Sequence, residues 1–264
     1  MKKTIFAFTV LLVACTARGA DDIQMLVMDP LALKNSCSCV PGYGQRDYDA
    51  LAGYLGEALR IPVCPRFCVA LNANTVSPII IGKQTEIEHA TKIAGLKLTR
   101  VAMLTDKEGA TTTHGLFVVR AKDNIKTIAD LKGKKIIFGL EGAVEKHAAA
   151  LATLKEAGIP LPEKIETRET CNQCAADVAE QRADAAVISS FALPLIEGCG
   201  TVGKGELRTV GRTADVMFIA AYVSDQFPAA SLPALEKALA HVAQDKRLRL
   251  TMETSKGFIP TKKK

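Results

Sequence analysis

The sequence predicts an α/β protein in which mostly parallel sheets are covered by helices. Short apolar segments alternate with longer amphipathic ones along the chain, and glycines and prolines separate them. Hydrophobic residues make up 48% and charged residues 23% of the 264 positions, which is the balance of an ordinary globular protein. After the N-terminal segment there is no run of 18 apolar residues, so no membrane-spanning helix is expected in the body of the chain.

The first half of the body alternates between predicted strands and helices. Apolar residues three and four positions apart, such as Tyr48, Leu51 and Leu55, indicate the first helix. Pro62 ends this helix, and Gly95 is expected to cap the next one. The predicted strands are 23–28, 63–71, 79–81 and 98–104, and the predicted helices are 46–60 and 85–94.

The second half begins near His114 and repeats the alternation. Continuous apolar runs of four to six residues indicate buried strands, and an alanine-rich stretch over 143–157 indicates a long helix. The predicted strands are 116–119, 135–138, 184–189, 207–210 and 217–223. The predicted helical segments are 127–131, 143–157, 175–183, 190–197 and 231–244.

Residues 1–20 are typical of a secretory signal peptide. Two lysines precede an apolar run over 5–13, and small residues follow it. The residues Leu-Val-Ala-Cys at 12–15 resemble the bacterial lipoprotein box, in which Cys15 is lipidated and becomes the N-terminus. Small residues two positions apart further along would instead suit ordinary signal peptidase. The sequence therefore predicts a periplasmic or extracytoplasmic protein, with a lipid anchor as one of two outcomes.

The cysteines of the exported chain are expected to form disulfides. Their spacing leaves the connectivity open. Short cysteine spacings also suit zinc or copper, but no histidine lies within five residues of any cysteine, and export favours oxidation. The disulfide candidates are Cys37, Cys39, Cys64, Cys68, Cys171, Cys174 and Cys199.

The net charge of +6 gives no support to nucleic-acid binding. Lys2 and Lys3 of the signal and the three lysines of the C-terminal tail account for five of these charges, which leaves +1 for all other residues together. A nucleic-acid-binding protein needs a concentrated basic surface, which this distribution does not predict.

Motifs of common enzyme classes are missing from the sequence. It contains no Gly-x-Ser-x-Gly, no P-loop, no His-Glu-x-x-His and no Gly-x-Gly-x-x-Gly that opens a helix. Glu141 and Glu145 stand one helical turn apart, but we expect them to form a capping or solvated pair rather than catalytic carboxylates. We predict neither an enzyme nor a bound cofactor or metal.

Three segments of the second half resemble a known family. They are Gly-Leu-Phe-Val-Val-Arg at 115–120, Asp-Leu-Lys-Gly-Lys-Lys-Ile-Ile-Phe-Gly at 130–139, and Ala-Asp-Ala-Ala-Val-Ile at 183–188. Together with Arg-Asp-Tyr at 46–48, they resemble type II periplasmic substrate-binding proteins, and among these the phosphonate- and phosphate-binding components of ABC importers. The resemblance implies two α/β lobes joined by two hinge strands. Residues 22–113 and 217–264 would form lobe 1, and residues 114–216 would form lobe 2.

The resemblance also implies that a monomer holds a small phosphonate- or phosphate-like anion between its lobes and presents it to an ABC permease. Ligands of open α/β sheets bind beyond the carboxyl ends of strands, where helix N-termini offer free N–H groups. The residues expected at these places are Tyr43, Arg46, Lys83, Gln84, Thr85, Thr113, His114, Glu141, Ser189 and Ser190.

Each candidate has a structural alternative. Thr85 and Ser190 would serve equally well as helix caps. Lys83 would otherwise be a solvated surface charge, and His114 a structural histidine. Arg46 would otherwise pair with Asp47 or Asp49 on its own helix.

The turn after Gly139 departs from the family pattern. Phosphonate binders have a Ser/Thr-rich turn there that receives the oxyanion, whereas residues 140–145 read Leu-Glu-Gly-Ala-Val-Glu. Glu141 suits the start of a helix but is a poor neighbour for a phosphonate. A cationic, zwitterionic or metal-complexed ligand therefore remains open beside an anion. The alternative from a different class is an exported copper, zinc or redox protein built on the cysteines.

Overall fold

The computed structural model describes residues 22–36, 38–68 and 70–261. The strands of this part of the chain are β1 Ile23–Met28, β2 Val63–Phe67, β3 Ile79–Lys83, β4 Leu98–Leu104, β5 Thr112–Thr113, β6 Gly115–Arg120, β7 Ile136–Gly139, β8 Glu166–Arg168, β9 Ala185–Ser189, β10 Leu207–Arg212, β11 Val216–Met217, β12 Ile219–Ser224 and β13 Phe258–Pro260. The helices are α1 Tyr48–Leu59, α2 Gln84–Ala94, α3 Ala148–Glu156, α4 Cys171–Ala179, α5 Ala192–Gly198, α6 Leu232–His241 and α7 Lys246–Thr251.

One sheet has six strands in the order β13-β4-β12-β3-β1-β2. β1 runs parallel to β2 and β3, while β12 runs antiparallel to β3 and β4. Met25 and Ile81 pack into one hydrophobic core, and Leu26 and Ile80 pack into another on the opposite face. Because both faces are covered, β1 and β3 contain continuous apolar runs, at 25–28 and 79–82, rather than alternating patterns.

The second sheet has five strands in the order β10-β6-β9-β7-β8. β7 runs parallel to β8 and β9, and β6 runs antiparallel to β9 and β10. It is also buried on both faces, with Val118 and Ile188 in one core and Phe117 and Val187 in the other.

The prediction of a two-lobe α/β fold is confirmed. We call the six-stranded sheet with its helices lobe 1 and the five-stranded sheet with its helices lobe 2. The chain crosses between them twice, and the crossing strands β5 and β11 pair with each other. Both sheets are mixed rather than mostly parallel, because β6 and β12, which follow the two crossings, enter antiparallel to their neighbours.

Helix α1 begins two residues later than predicted. The side chain of Asp47 accepts a hydrogen bond from the Ala50 N–H at 3.0 Å and so caps the helix. Arg46 therefore precedes the helix, and its backbone forms a parallel bridge with Ala32.

The long helix predicted over 143–157 is interrupted. A short 3-10 turn at Val144–Lys146 comes first, and α3 starts only after His147. His147 leaves the helical conformation, and its Nδ1 lies 2.8 Å from the Gly139 carbonyl oxygen. This break lets the turn fold into the protein instead of continuing along a helix surface.

Helix α4 begins four residues earlier than predicted, because Thr170 and Gln173 form a capping box at its start. Three elements, β8, β13 and α7, were not predicted from the sequence. The two strands are three residues long, and α7 buries only Leu248, so none presents a clear periodic pattern. Within the described ranges, no helix combines the length and apolar content needed to cross a bilayer.

Three predicted disulfide cysteines are free thiols. Cys68, Cys171 and Cys174 carry no disulfide, so the prediction is wrong at these positions. Burial raises the pKa of the Cys174 thiol to about 12. Cys37 and the signal segment with Cys15 lie outside the described residues. Across those that are described, no three His, Cys, Asp or Glu side chains form a group suited to a metal ion.

Gly82→Ala tests how closely β1 and β3 approach. A Cβ atom at Gly82 would lie 2.5 Å from the Met28 Cβ and 2.8 Å from its carbonyl carbon. We expect the substitution to lower the free energy of unfolding in urea by about 1–3 kcal/mol. The control is Gly53→Ala in α1, where nothing lies within 4 Å of the new methyl group. It should stabilise by about 0.5–1 kcal/mol, because alanine favours a helix. Similar effects of the two substitutions would contradict the packing described.

Candidate ligand-binding site

Polar residues stand at the carboxyl ends of the strands that point into the space between the lobes. In lobe 1, Asp29 follows β1 and Lys83 ends β3; in lobe 2, Ser189 ends β9. All three are buried, with exposed fractions of 0%, 4% and 1%. Buried polar groups cost free energy unless they are paired, so their partners define how the site is built.

Asp29 holds Arg46 in the interior of lobe 1. Its Oδ2 accepts hydrogen bonds from Arg46 Nη1 at 2.8 Å and from the Tyr48 hydroxyl at 2.7 Å. Burial alone would lower the pKa of Arg46, but the charge and hydrogen bond of Asp29, together with Tyr48 and Glu253, outweigh burial and raise the pKa. The guanidinium therefore stays charged, and the alternative pairing with Asp47 or Asp49 is wrong.

Glu145 of lobe 2 joins Lys83 of lobe 1 in a buried ion pair. Its Oε1 lies 2.8 Å from Lys83 Nζ and accepts a hydrogen bond from the Ser189 hydroxyl at 2.6 Å. Lys83 also pairs with Glu86 at 2.6 Å. Glu145 is fully buried. The solvated-charge alternative for Lys83 and the expected capping or solvated role of Glu145 are both wrong.

The backbone around Glu145 is fixed by close packing. A Cβ atom at Gly115 in β6 would overlap the Glu145 carbonyl oxygen, so the turn approaches the sheet only over a glycine. The Thr213 hydroxyl donates to the same oxygen at 3.3 Å. The next residue, Lys146, is also buried, and its side chain lies against Gly139.

The charges of this pair stabilise each other. Burial alone would raise the pKa of Glu145, but the charges of Lys83 and Lys146 and the hydrogen bonds from Lys83 and Ser189 together outweigh burial and lower it. Burial alone would lower the pKa of Lys83, but Glu145 and Glu86 outweigh it and raise it. Both groups are therefore ionised at neutral pH. Glu145 Oε2 is buried and has no hydrogen-bond partner among the described residues.

A cavity of about 210 Å³ lies beside these clusters and has walls from both lobes. Its aromatic and hydroxyl-bearing walls are formed by Tyr43, Phe191, Phe218, Thr112, Thr113 and Ser190. Its charged walls are formed by Arg46, Asp106, Lys107, Glu108 and Glu253. The cavity therefore combines an apolar surface with groups of both charges.

The aromatic side chains bring lobe 2 against the Arg46 cluster. The Tyr43 hydroxyl donates to the Phe191 carbonyl oxygen at 2.9 Å and so links the two lobes. Burial raises the pKa of Tyr43 to about 12, so the hydroxyl remains a donor. Phe191 stacks on Phe218 with ring centroids 5.0 Å apart, and the Arg46 guanidinium lies 5.8 Å from the Phe218 centroid. Arg46 Nε is buried without a hydrogen-bond partner among the described residues.

Two hydroxyl groups mark the side of the cavity nearest the crossing strands. Thr113 Oγ1 and Ser190 Oγ lie 3.0 Å apart. The Ser190 N–H donates to the His114 carbonyl oxygen at 2.8 Å, which fixes the turn after β9. These hydroxyls are within the cavity wall and can donate or accept.

Glu253 closes the acidic side of the cavity. It has a positive φ of 47°, a costly conformation for a residue other than glycine. Its Oε2 accepts the Gly44 N–H at 3.0 Å, and its Oε1 lies 3.3 Å from Lys107 Nζ. Lys107 also donates to the Gly42 carbonyl oxygen, so this corner joins the loop before α1 to the end of α7.

The cleft contains six of the ten predicted site residues. Tyr43, Arg46, Thr113 and Ser190 line the cavity, and Lys83 and Ser189 hold Glu145.

The other four predicted residues lie elsewhere. Gln84 donates a hydrogen bond to Glu88 on its own helix, and Thr85 is half-buried in α2. His114 Nδ1 lies 3.3 Å from Asp215 Oδ1, and Glu141 is exposed. Burial and the charge of Arg212 lower the pKa of His114. Neither α2 nor α5 is capped by a side-chain hydrogen bond, so the alternative that Thr85 and Ser190 serve as helix caps is wrong.

The acidic residues of the site, and its aromatic residues other than Tyr43, were not predicted from the sequence. Asp29 directly follows a buried strand, so the strand-end rule, by which ligands bind beyond the carboxyl ends of strands, was sufficient to find it. Glu145 lies beyond a strand end as well, but its position in an apparent helix disguised it. Phe218 and Glu253 reach the cleft from distant parts of the chain, and no local pattern marks them.

Glu145→Gln tests the interlobe ion pair through its pH dependence. Because the pKa of Glu145 is lowered from 4.5 on folding, the pair stabilises the protein above that pH, and the contribution is lost as pH falls through the folded-state pKa. We expect the substitution to cost about 1–3 kcal/mol at neutral pH. The free energy of unfolding of the wild type should then fall more steeply on acidification below about pH 4.5 than that of the variant.

The control for this measurement is Glu141→Gln, which changes an exposed carboxylate of the same turn and should alter neither quantity. Parallel pH profiles for the wild type and Glu145→Gln would contradict the buried pair.

Comparison with known proteins gives a family match. The profile of the ABC transporter phosphonate periplasmic substrate-binding proteins matches residues 42–264. A search of curated proteins finds no significant match.

Solved structures share the fold at low sequence identity. A binding-protein component of an ABC phosphonate transporter from Pseudomonas aeruginosa is 11% identical with a TM-score of 0.68, covering 91% of this chain and 81% of that one. PhnD1 from Prochlorococcus marinus, in complex with methylphosphonate, is 14% identical with a TM-score of 0.67 and coverage of 92% and 93%. XAC2383 from Xanthomonas citri, bound to ATP, is 17% identical with a TM-score of 0.66 and coverage of 92% of each chain.

The family match spans both lobes and both crossings, leaving out only the first 41 residues. It favours a substrate-binding role over the alternative of an exported metal or redox protein, and over an enzyme. The chain belongs to the family of periplasmic substrate-binding proteins of ABC phosphonate transporters.

Proposed function

We propose that the interlobe cavity binds a small zwitterion whose acidic group faces Arg46 and whose ammonium group faces Glu253. Family membership gives the chain a small-molecule ligand, a permease partner and an extracytoplasmic location. The chemistry of the ligand is inferred from the cavity. Its volume of about 210 Å³ is below the roughly 300–1,000 Å³ of pockets for drug-sized molecules, so the ligand is small.

The observation that carries the proposal is the unused donor of Arg46. Asp29 occupies Nη1, while the buried Nε has no hydrogen-bond partner among the described residues. A buried N–H without an acceptor costs free energy, and an oxygen of the ligand would supply that acceptor. The Thr113 and Ser190 hydroxyls, which hydrogen-bond to each other, also line the cavity and leave one O–H to donate to the ligand. A carboxylate or phosphonate group meets these requirements.

The carboxylates in the cavity wall favour a cation. Asp106, Glu108 and Glu253 contribute three carboxylates, and Lys107, which lies 3.3 Å from Glu253, offsets only one of them. An ammonium group would neutralise part of the remaining negative charge. The stacked rings of Phe191 and Phe218, which also line the cavity, would contact the carbon chain of the ligand.

Closure of the lobes would strengthen the contacts of the ligand with both Arg46 and Glu253. Tyr43 and Phe191 bring the lobes together at the cavity, and exclusion of water increases the energy of charge–charge contacts there. The bound, closed form is the one we expect the permease to recognise.

A calorimetric panel on the wild type tests the ligand class. We expect aminoalkylphosphonates or amino acids to bind. Methylphosphonate, inorganic phosphate and alkylamines should bind at least about tenfold more weakly, because each has a group for only one of Arg46 and Glu253. Glu253→Gln should weaken the binding of a zwitterion about tenfold, since it removes one charge-assisted contact. The exposed Glu141→Gln is the control and should bind like the wild type. Binding confined to simple anions would overturn the proposed ligand class.

We further propose a monomer anchored by a lipid on Cys15, with disulfides at Cys64 and Cys199. The anchor rests on residues 12–15, which resemble a lipoprotein box and lie outside the described residues. The disulfides are supported by the bonded state of the Cys64 and Cys199 sulfurs, which contrasts with the free thiols of Cys68, Cys171 and Cys174.

Mass spectrometry of the protein extracted from membranes tests this proposal. We expect a lipid-modified peptide that begins at Cys15, and release of the protein into the soluble fraction by Cys15→Ser. Alkylation in denaturant before reduction should label Cys68, Cys171 and Cys174, whereas Cys64 and Cys199 should be labelled only after reduction. An unmodified N-terminus beyond Cys15 would refute the anchor, and labelling of Cys64 and Cys199 without reduction would refute the disulfides.

A further inference from the structure

We infer that Glu145 is a built-in anion: its carboxylate takes the position between Lys83 and Ser189 that an anionic ligand would need, and so excludes simple anions from that part of the cleft. The inference rests on the proposed function only in placing ligand binding between the lobes. Because Glu145 already occupies Lys83, the acidic group of the ligand is directed to Arg46.

The surroundings of the Glu145 carboxylate have the composition of an anion site. Lys83 from lobe 1 and the Ser189 hydroxyl from lobe 2 both reach Oε1, at 2.8 and 2.6 Å. These are distances of charge-assisted hydrogen bonds. Lys146 adds a second buried ammonium group whose charge acts on the same carboxylate. The donors come from both lobes, as they would around a ligand that closes a cleft.

The backbone of Glu145 is held in place by its neighbours. Gly115 gives the Glu145 carbonyl its close approach to β6, and Thr213 hydrogen-bonds that carbonyl. The side chain is fully buried. Freeing the donors for another anion therefore requires movement of the turn at 144–146, not merely a change of side-chain rotamer.

The local charges show why an added anion is disfavoured. Lys83 and Lys146 carry two positive charges, which Glu145 and Glu86 balance. A phosphate or phosphonate entering beside Glu145 would bring further negative charge into contact with a buried carboxylate, which costs repulsion and desolvation. Without Glu145, the same group of residues would have a net charge of +1 and a serine hydroxyl free to donate.

Glu145→Ala therefore should convert the ion pair into an anion-binding site. Calorimetry and thermal shift with acetate, inorganic phosphate and methylphosphonate should show affinities at least tenfold higher for the variant than for the wild type. The double variant Lys83→Met/Glu145→Ala should lose this gain. Glu86→Ala is the matched control: it removes the other carboxylate on Lys83 but leaves Glu145 in place, so no such gain should arise.

The outcomes separate this inference from the proposed ligand class. A folded Glu145→Ala variant that binds these anions no better than the wild type overturns the inference, even where zwitterions bind the wild type. A gain of anion binding by the variant supports it, even where no zwitterion binds. Should Glu145→Ala not fold, a crystal structure of the wild type grown with methylphosphonate decides. Methylphosphonate on Lys83 with Glu145 displaced overturns the inference, and Lys83 still held by Glu145 supports it.

Discussion

The buried ion pair between Lys83 and Glu145 is the contact on which the geometry of the cleft depends. It joins the end of β3 in lobe 1 to the turn after β7 in lobe 2, and the Ser189 hydroxyl holds the same carboxylate from the end of β9. Removing either charge would leave the other buried without its main partner, which is far more costly than losing a surface pair. The separation of the two sheets at this point is therefore set by one ion–ion distance. The cavity at Arg46 takes its shape from that separation and from the Tyr43–Phe191 hydrogen bond.

Much of the fold could be predicted because its strands are buried on both faces. Strands such as β1 and β3 contain continuous apolar runs, at 25–28 and 79–82, and their ends at Met28 and Lys83 nearly coincide with the predicted ends. The antiparallel strands could not be assigned, since strand direction within a sheet depends on the two crossings and not on local pattern. The helix predicted over 143–157 fails for a similar reason. Its alanine-rich sequence suits a helix, but the burial of Glu145 and Lys146 and the contact of His147 with Gly139 interrupt it.

Site residues could be predicted only where they directly end or follow a strand, because the order of strands and helices then shows which edge of the sheet they reach. The strand-end rule finds Lys83 and Ser189, because both stand at the carboxyl ends of strands that meet at the cleft. It does not reveal that their shared partner is Glu145, since the pairing is made across the lobes over 62 residues of sequence. Glu253 joins the loop before α1 across a still longer separation. Such contacts follow from the packing of whole lobes, which a local pattern does not encode.

The two buried cations of the cleft differ in how lobe movement affects them. Arg46 has its counter-ion, Asp29, in the same lobe, so its position does not change when the lobes separate. Lys83 shares Glu145 with the opposite lobe, so separation returns both charges to water and recovers much of their hydration. Arg46 is thus a preorganised donor with an unused N–H, and binding to it needs little rearrangement. Lys83 is instead occupied whenever the cleft is closed. In the proposed function, this arrangement therefore gives Arg46 the role of recognising the ligand and gives Lys83 the role of holding the lobes together.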